Sequence, residues 1–565
     1  MNKVKKELDK IFIGVAWPYV NGNLHIGHVA GYLLPADITA RFFRLLGHEV
    51  LMVSGSDCFG TPITVEADKR NLAPKVVVEE YHNRNVKLFR SLGLSFDLYT
   101  KTDTENHSKL VQKFLLSFWE KGLLEISKQN QYFSESLNRF LPDRYVEGTC
   151  PNCAYLESRS DQCDNCGKLL NQDLINPISK IDKKIVSLRE TEHLFVKWDK
   201  IQPQIEKYYN KVSVNWREWV RGETKNWLKE GLTKRAVTRD LDWGVEIPKE
   251  IAEKLPGSDH KKIYVWYDAV IGYLSASIEW SLQGKGEWKD FWYGEKIKHY
   301  YFMGKDNLVF HTIFWPGQLM TYDPKLHLPD YPAINQYLNL EGKKFSKSRG
   351  VVIDTAEFIE KFGSEPLRFH LTSIMPENSD SSFSQEEFYK VNNSSLVGHI
   401  GNYVHRTLSI YKNTPLTSKI SKRVIKRISK SLDQSISCLR NSKFKAYLEE
   451  VESLSKFANV LFNDKQPWIS QKENVDQFVS NMADHVILSY AIMCLLEPIT
   501  PEASKKYLTT VGLVKNDLWS NHNRIEEFLG EVITSINIKE PTHLFKKIQD
   551  ELNFVADKND KSKES

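Results

Sequence analysis

Two short segments gather residue types suited to handling phosphate. His25-Ile26-Gly27-His28 follows an apolar run and a turn, so it falls where a loop passes into a helix. Backbone N–H groups without intrahelical partners, together with the helix dipole, favour an anion at such a junction. Two imidazoles three residues apart share one helical face, and Gly27 between them lets a ligand approach closely. Such a pair can donate hydrogen bonds to a phosphate in transfer, although an isolated H-x-x-H is more often a pair of ordinary histidines. The second segment, Lys343-Lys344-Phe345-Ser346-Lys347-Ser348-Arg349-Gly350 after Gly342, packs cations and hydroxyls into a short loop. Flexible lysines with small neighbours can close on a polyphosphate and neutralise the charge of departing pyrophosphate. Taken alone, the segment is better read as a solvated basic loop. No G-x-x-x-x-G-K-[ST] occurs in the chain, which argues against a P-loop NTPase.

A third constellation is made of sulfur. Cys150-x-x-Cys153 and Cys163-x-x-Cys166 are two pairs separated by nine residues. The spacing suits one tetrahedral zinc held by four thiolates, a closed and therefore structural site. A redox dithiol pair is the alternative. The segment also resembles zinc knuckles of a family in which some members carry a second cysteine pair where Ser179 and Asp182 stand here, and this resemblance implies one Zn2+.

The elements that position these residues follow from the apolar pattern. Ile11 to Ala16 is a short apolar run, as in a strand buried on both faces of a parallel sheet. Pro18, Asn21, Gly22 and Asn23 mark a turn, and Val29, Leu33, Ala36 and Ala40 then fall at helical spacing. A second strand at Val50–Val53 runs into Gly55-Ser56-Asp57, giving a strand–helix–strand unit of doubly wound α/β type. A polar region from about Glu125 to Trp243 carries the cysteines and interrupts this domain. Strand-like runs resume at Ile263–Trp266, His299–Met303 and Ala333–Tyr337. From about Gln385 the pattern is helical, as over Ile428–Val460, and Asp557–Ser565 reads as a disordered polar tail.

Composition adds bounds. The chain of 565 residues is too long for one core. It is 41% hydrophobic and 26% charged, with 14 tryptophans, as in a soluble protein with large pockets. Lys and Arg number 77 against 72 Asp and Glu, and this excess of +5 does not by itself indicate nucleic-acid binding. Seven cysteines, four of them clustered, fit reduced metal-binding thiols better than a disulfide framework. Neither a signal peptide nor a window of about 18 apolar residues is evident, so a cytoplasmic protein without a membrane partner is expected.

Together, H-I-G-H after the first strand and a K-x-S-K-S loop after the last resemble the class I aminoacyl-tRNA synthetases. Phe345 stands where that family usually has Met, a packing position. Ala16–Gly22, Gly60–Ile63, Tyr264–Ala269, Gly304-Lys305-Asp306, His311, Phe314-Trp315-Pro316 and the cysteines narrow the resemblance to the methionyl-tRNA synthetases, over nearly the whole chain. Val270 and Trp17 depart from it, where Pro and Leu are common. The resemblance implies an α/β doubly wound (Rossmann-like) catalytic domain split by a zinc-knuckle insertion, followed by an all-α anticodon-binding bundle. The expected boundaries are 1–124 and 245–337 for the two catalytic halves and 125–244 for the insertion. The lysine–serine loop and linker take 338–395, the bundle 396–550 and the tail 551–565.

It further implies ATP, L-methionine and tRNA(Met) as partners, with Mg2+ accompanying ATP. His25, His28, Lys344 and Lys347 would be catalytic, and Gly27, Gly304, Asp306, Ser346 and Ser348 would join them around ATP. Ala16, Trp17, Tyr19, Asp57, Trp266, Ala269, Tyr273 and His311 would hold methionine. Physically, aromatic walls suit a polarizable thioether, and Asp57 at a strand's carboxyl end suits an amino group. Asn402, Arg406 and Trp468 would read the anticodon, with the basic run Lys419–Lys430 left open between tRNA phosphate and solvent. The length leaves no room for the editing insertion of the isoleucine, leucine and valine enzymes, and zinc in a cysteine enzyme would bind substrate. An RNA-binding paralogue would need none of the catalytic set. A monomer is expected.

Overall fold

The computed structural model describes residues 9–141, 145–160, 163, 165–166, 168, 170, 173–341, 343–344 (backbone only), 353–411 and 419–549. Ser346, Lys347 and Ser348 therefore lie outside the described residues, and Lys344 is described through its backbone alone.

Five parallel strands form the central sheet: β1 (Lys10–Val15), β2 (Glu49–Ser56), β3 (Leu98–Lys101), β4 (Ile297–Gly304) and β5 (Tyr331–Asn335). Their order is β5-β4-β1-β2-β3. The winding reverses between β1 and β4, which opens a crevice beyond the carboxyl ends of those two strands. The strands are apolar along their length because both faces are covered. On one face Phe12 packs on Trp292, with ring centroids 4.9 Å apart, and on Tyr301. On the other, Tyr300 meets Phe43 at 5.3 Å and Phe302 meets Phe444 of the C-terminal helices at 6.4 Å.

The helical segment after β1 runs without a break from Ile26 to Leu45, with a π-helical stretch at Val29–Leu33 just before Pro35. Proline has no N–H to offer, and a widened turn accommodates that loss. Further along, Asp37 is fully buried and pairs with Arg41 at 2.8 Å and Arg368 at 2.7 Å. Burial pushes its carboxyl up, but Arg368 and Arg41 outweigh that and hold it at about 2. Arg368 also donates to the carbonyls of Pro498 and Ile499, tying the sheet to the C-terminal helices.

The insertion departs from β3 through the helix Glu105–Glu120 and is built on a long antiparallel ribbon, Leu124–Ser134 with Ser187–Val196. One expected strand is corrected here. Only Lys261–Ile263 is extended, and it pairs antiparallel with Thr238–Asp240 and Val245–Glu246 in a separate small sheet. Val265–Asp268 is a helical turn. Its apolar run reads like a strand because the turn is packed on all sides, and burial erases periodicity.

The C-terminal region is helical, as its pattern indicates. The run Ile428–Val460 is two helices, Lys422–Arg440 and Phe444–Lys465, parted at Ser442 with φ +50°. Contrary to the expectation that no segment would suffice for a membrane span, Val475–Leu496 is long and apolar enough by composition. It is the central helix of the bundle, with 89% of its most apolar window buried.

Candidate functional site

His25 caps the helix that begins at Ile26, and the two histidines fix each other through the backbone. The N–H of Gly27 donates to His25 Nδ1 at 3.2 Å, and the N–H of His25 donates to His28 Nδ1, also at 3.2 Å. The rings lie 3.9 Å apart. Since both Nδ1 atoms accept, each proton sits on Nε2, and both neutral imidazoles present a donor. The chain beyond the lysine–serine loop returns to the same place. Asp354 bridges His25, accepts from the Asn23 amide at 2.8 Å, and caps the helix Thr355–Phe362. Before the loop, Lys343–Lys344 pairs with Asn339–Leu340. The loop thus leaves from a strand and ends against His25.

Gly304 ends β4 on the other side of the crevice, and nothing lies within 4 Å of where a Cβ would stand. Asp306 follows it and accepts from the Tyr337 hydroxyl. Ala16 extends β1, its N–H donating to Phe302 at 2.8 Å. The ring of Trp17 lies between two glycines: a Cβ at Gly55 would stand 2.0 Å from it and one at Gly272 2.8 Å. Tyr19 is bridged to Asp57, whose carboxylate is 4% exposed and accepts only from Phe59 N at 3.3 Å among the described residues. Burial, and then the neighbouring Asp268, push the Asp57 carboxyl well above the usual range.

Tyr273 packs against Trp17, with ring centroids 6.4 Å apart. It is fully buried, and its hydroxyl meets His311 Nε2 at 2.7 Å while His311 Nδ1 meets the Asn307 carbonyl at 2.9 Å. A carbonyl only accepts, so Nδ1 carries the proton and Nε2 accepts from Tyr273. Burial pushes His311 down to about 4 and keeps it neutral. Trp266 and Ala269 are half-buried. Trp266 lines a cavity of about 350 Å³ with Tyr264, Tyr267, Phe310 and Gln318.

The sulfur atoms of Cys150, Cys153, Cys163 and Cys166 all lie within 4.8 Å of one another, with Cys153 and Cys163 at 3.7 Å. Four thiolates about 2.3 Å from one zinc stand about 3.8 Å apart, so the donor set fits that ion. Ser179 instead caps a turn, its hydroxyl accepting from the N–H groups of Ile181 and Asp182. Among the described residues the cysteines form the one group arranged to hold a metal.

Residues 11–408 match the family model described as tRNA synthetases class I (M), and 414–558 match that of the anticodon binding domain of methionyl tRNA ligase. The chain belongs to the methionyl-tRNA synthetase family. The methionine–tRNA ligase of Thermoplasma volcanium is 39% identical over 520 residues, covering 89% of this chain and 93% of that protein. That of Dehalococcoides mccartyi is 41% identical over 558 residues, with 96% and 98% covered. The Mycobacterium tuberculosis methionyl-tRNA synthetase in complex with methionyl-adenylate has the same fold, at TM-score 0.77 and 21% identity, over 95% of this chain and 100% of that one.

In this methionyl-tRNA synthetase chain, Arg406 and Trp468 come together. The Arg406 guanidinium lies 4.7 Å from the Phe462 ring and 5.8 Å from that of Trp468, which is 37% exposed. Asn402, one turn before Arg406, is exposed on the same helix. Much of the basic run serves packing: Arg427 pairs with Glu450 at 2.6 Å, and Arg423 lies over Phe457. Sequence reading missed Asn23, Asp354 and Asp268. Asp354, three residues before Glu357, carries a helix-start signature that could have flagged it. Asp268 has no local signal, because its isolation is a property of the packed state.

Proposed function

We propose that the chain is a methionine–tRNA ligase that activates methionine with ATP and transfers it to tRNA(Met). The observation that carries the reading is the histidine pair with both Nε2 donors directed by the backbone, at the switch-point crevice where Asp354 returns the lysine–serine loop. The carboxylate of methionine attacks the α-phosphorus of ATP in line, forming methionyl-adenylate and releasing pyrophosphate. His25 and His28 donate to the phosphoryl oxygens as charge develops, Lys344 and Lys347 neutralise the pyrophosphate, and Gly27, Gly304, Asp306, Ser346 and Ser348 shape the nucleotide site. Mg2+ bound with ATP supplies further neutralisation of phosphate charge. No side chain acts as nucleophile, because positioning and electrostatics supply the catalysis.

Ala16, Trp17, Tyr19, Trp266, Ala269 and Tyr273 enclose the thioether, with His311 beside Tyr273, and Asp57 pairs with the ammonium group. The terminal adenosine of tRNA then attacks the adenylate through its 2′-hydroxyl. Asn402, Arg406 and Trp468 hold the anticodon, where stacking contributes about 1–3 kcal/mol per base. The four cysteines hold one structural zinc. The reading takes the protein as a cytoplasmic monomer.

ATP–pyrophosphate exchange with each of the twenty amino acids, without tRNA, tests the reading. Exchange with methionine alone supports it. Exchange with another amino acid overturns the pocket assignment, and no exchange from folded protein overturns the enzyme.

A further inference from the structure

Lys305 and Asp306 follow the carboxyl end of β4 on a single helical turn, Lys305–Asn307, and Tyr337 and Asp380 hold them there. Asp306 is exposed, and its Oδ1 accepts from the hydroxyl of the half-buried Tyr337. The Lys305 ammonium lies 3.9 Å from the centroid of the Tyr337 ring and 2.9 Å from Asp380 Oδ1. The N–H of Tyr337 donates to that same Asp380 oxygen at 3.0 Å. Tyr337 therefore meets both residues of the turn, Lys305 with its ring and Asp306 with its hydroxyl.

The charges are divided accordingly. Asp380 and the tyrosine ring take the Lys305 cation, and among the described residues Asp306 pairs with no lysine or arginine. An exposed carboxylate samples several rotamers and loses that freedom when a ligand binds. A hydroxyl bonded to Oδ1 has already fixed the group, and Oδ2 is left to accept from a ligand. A carboxylate repels triphosphate, so its partners on ATP are the donors of the nucleoside end. An acid beyond a strand's carboxyl end in a doubly wound sheet suits the ribose hydroxyls.

The same tyrosine reaches the lysine–serine loop. Tyr337 immediately precedes the strand Leu338–Leu340, and Asp380 immediately precedes Ser381–Phe383. These two strands pair in parallel, and Leu338–Leu340 also pairs antiparallel with Lys343–Lys344. Both anchors of the Lys305–Asn307 turn thus sit at the start of strands in the small sheet from which the loop departs.

Resting on the reading of Asp306 as part of the nucleotide site, we propose that Tyr337 is a positioning residue for ATP, its hydroxyl fixing the Asp306 carboxylate for the ribose hydroxyls. Because Tyr337 leads into the loop's own sheet, the ribose contact and the loop share one mount.

Pyrophosphate exchange by the full chain tests this, with ATP set beside 2′,3′-dideoxyATP, which has no ribose hydroxyl. Tyr337→Phe keeps the ring beside Lys305 and removes the hydroxyl. Its KM for ATP should rise about tenfold, the size of one charge-assisted hydrogen bond, with the methionine KM within about twofold. With 2′,3′-dideoxyATP the variant and the wild type should agree within about twofold, because no hydroxyl is left to meet Asp306. Adding Tyr337→Phe to Asp306→Ala should raise the ATP KM no further, since the tyrosine acts through that carboxylate. An unchanged ATP KM in Tyr337→Phe, or an equal rise with both nucleotides, would overturn the proposal. A wild type that uses both nucleotides equally would instead strike the reading of Asp306 beneath it, and the proposal would fall with that reading.

Discussion

Trp17, proposed as a wall of the methionine pocket, shows how a single residue constrains its neighbours. Its ring fills the space that side chains at positions 55 and 272 would need, so both must be glycine. Gly55→Ala should push the indole into the pocket, and overpacking of this kind costs about 1–3 kcal/mol. The methionine KM in pyrophosphate exchange should rise about tenfold while the ATP KM stays within twofold, and the double variant Gly55→Ala/Trp17→Leu should recover most of the loss. Equal loss in the double variant would show that the ring is not the obstacle. The identity of Trp17 was legible in the sequence, but its glycine partners were not, since a close approach across 38 and 255 positions leaves no local mark. The histidine pair was legible because its constraint is local, three residues and one turn. His370 carries a different prediction. It is 1% exposed among Phe383 and Phe388, both ring nitrogens lack partners, and burial pushes it from 6.5 down to about 4. The unfolded chain therefore binds a proton that the folded one refuses, so stability is full above pH 6.5 and falls as the pH drops toward 4, by about 2 kcal/mol near pH 5. His370→Phe should flatten the fall of the melting temperature between pH 7.5 and 5. An unaltered slope would place the acid sensitivity elsewhere.

Elements rather than residues hold the loops in place. The helix Thr355–Phe362 begins at Asp354, whose Oδ1 accepts from Ala356 and Glu357 while Oδ2 accepts from Asn23. One carboxylate thus starts the helix and fastens the end of the lysine–serine loop to the histidine segment. Asp354→Ala should cost about 1 kcal/mol as a lost cap. Its kcat in exchange should fall further than that stability loss explains, whereas Asp354→Asn, which keeps the acceptor, should retain most of the activity. If both variants keep wild-type kcat, the bridge has no part in closing the loop. The four-cysteine knuckle, proposed to hold zinc, is the second such element. Among the described residues its buried core is Tyr132, Leu141, Tyr145, Val146, Leu174 and Val186, a small cluster to order three short strands unaided. Cys163→Ser should abolish one equivalent of bound zinc and open residues 146–179 to trypsin with the sheet domain still intact, as read by elemental analysis and limited proteolysis. Both elements were partly legible. Paired C-x-x-C spacing announces a metal without help from tertiary structure, and β1, β2 and β4 announce themselves by unbroken apolar runs. The turn Val265–Asp268 misled for the same reason, because a segment packed on every side looks apolar in any conformation.

At the scale of the whole molecule, one buried side chain reaches from the crevice to the bundle through several hydrogen bonds at once. Arg217 is 9% exposed and donates to the Ile334 carbonyl at 2.5 Å, Asn335 Oδ1 at 2.6 Å, the Glu377 carbonyl at 3.1 Å and the Ser442 carbonyl at 2.8 Å. Those acceptors belong to β5, to the segment after the helix Ser364–Ser373, and to the turn between the bundle helices Lys422–Arg440 and Phe444–Lys465. Asn335 in turn donates to the Ala30 carbonyl at 3.1 Å, inside the π-helical stretch that follows the histidine pair. A path of hydrogen bonds therefore runs from the bundle to the helix that carries His25 and His28. Each link is buried, so breaking it leaves an acceptor that water does not reach, at about 1–3 kcal/mol apiece. Arg217→Met keeps the bulk of the side chain and removes all four hydrogen bonds. Methionine-dependent exchange needs only the crevice and should fall less than about threefold. Charging of tRNA needs the anticodon surface and the crevice held in one geometry, and its kcat/KM should fall more than about tenfold. A parallel fall in both assays would mean that Arg217 stabilises the sheet domain alone, and that the bundle is placed by its packing on Phe42, Phe302 and the Arg368 contacts instead.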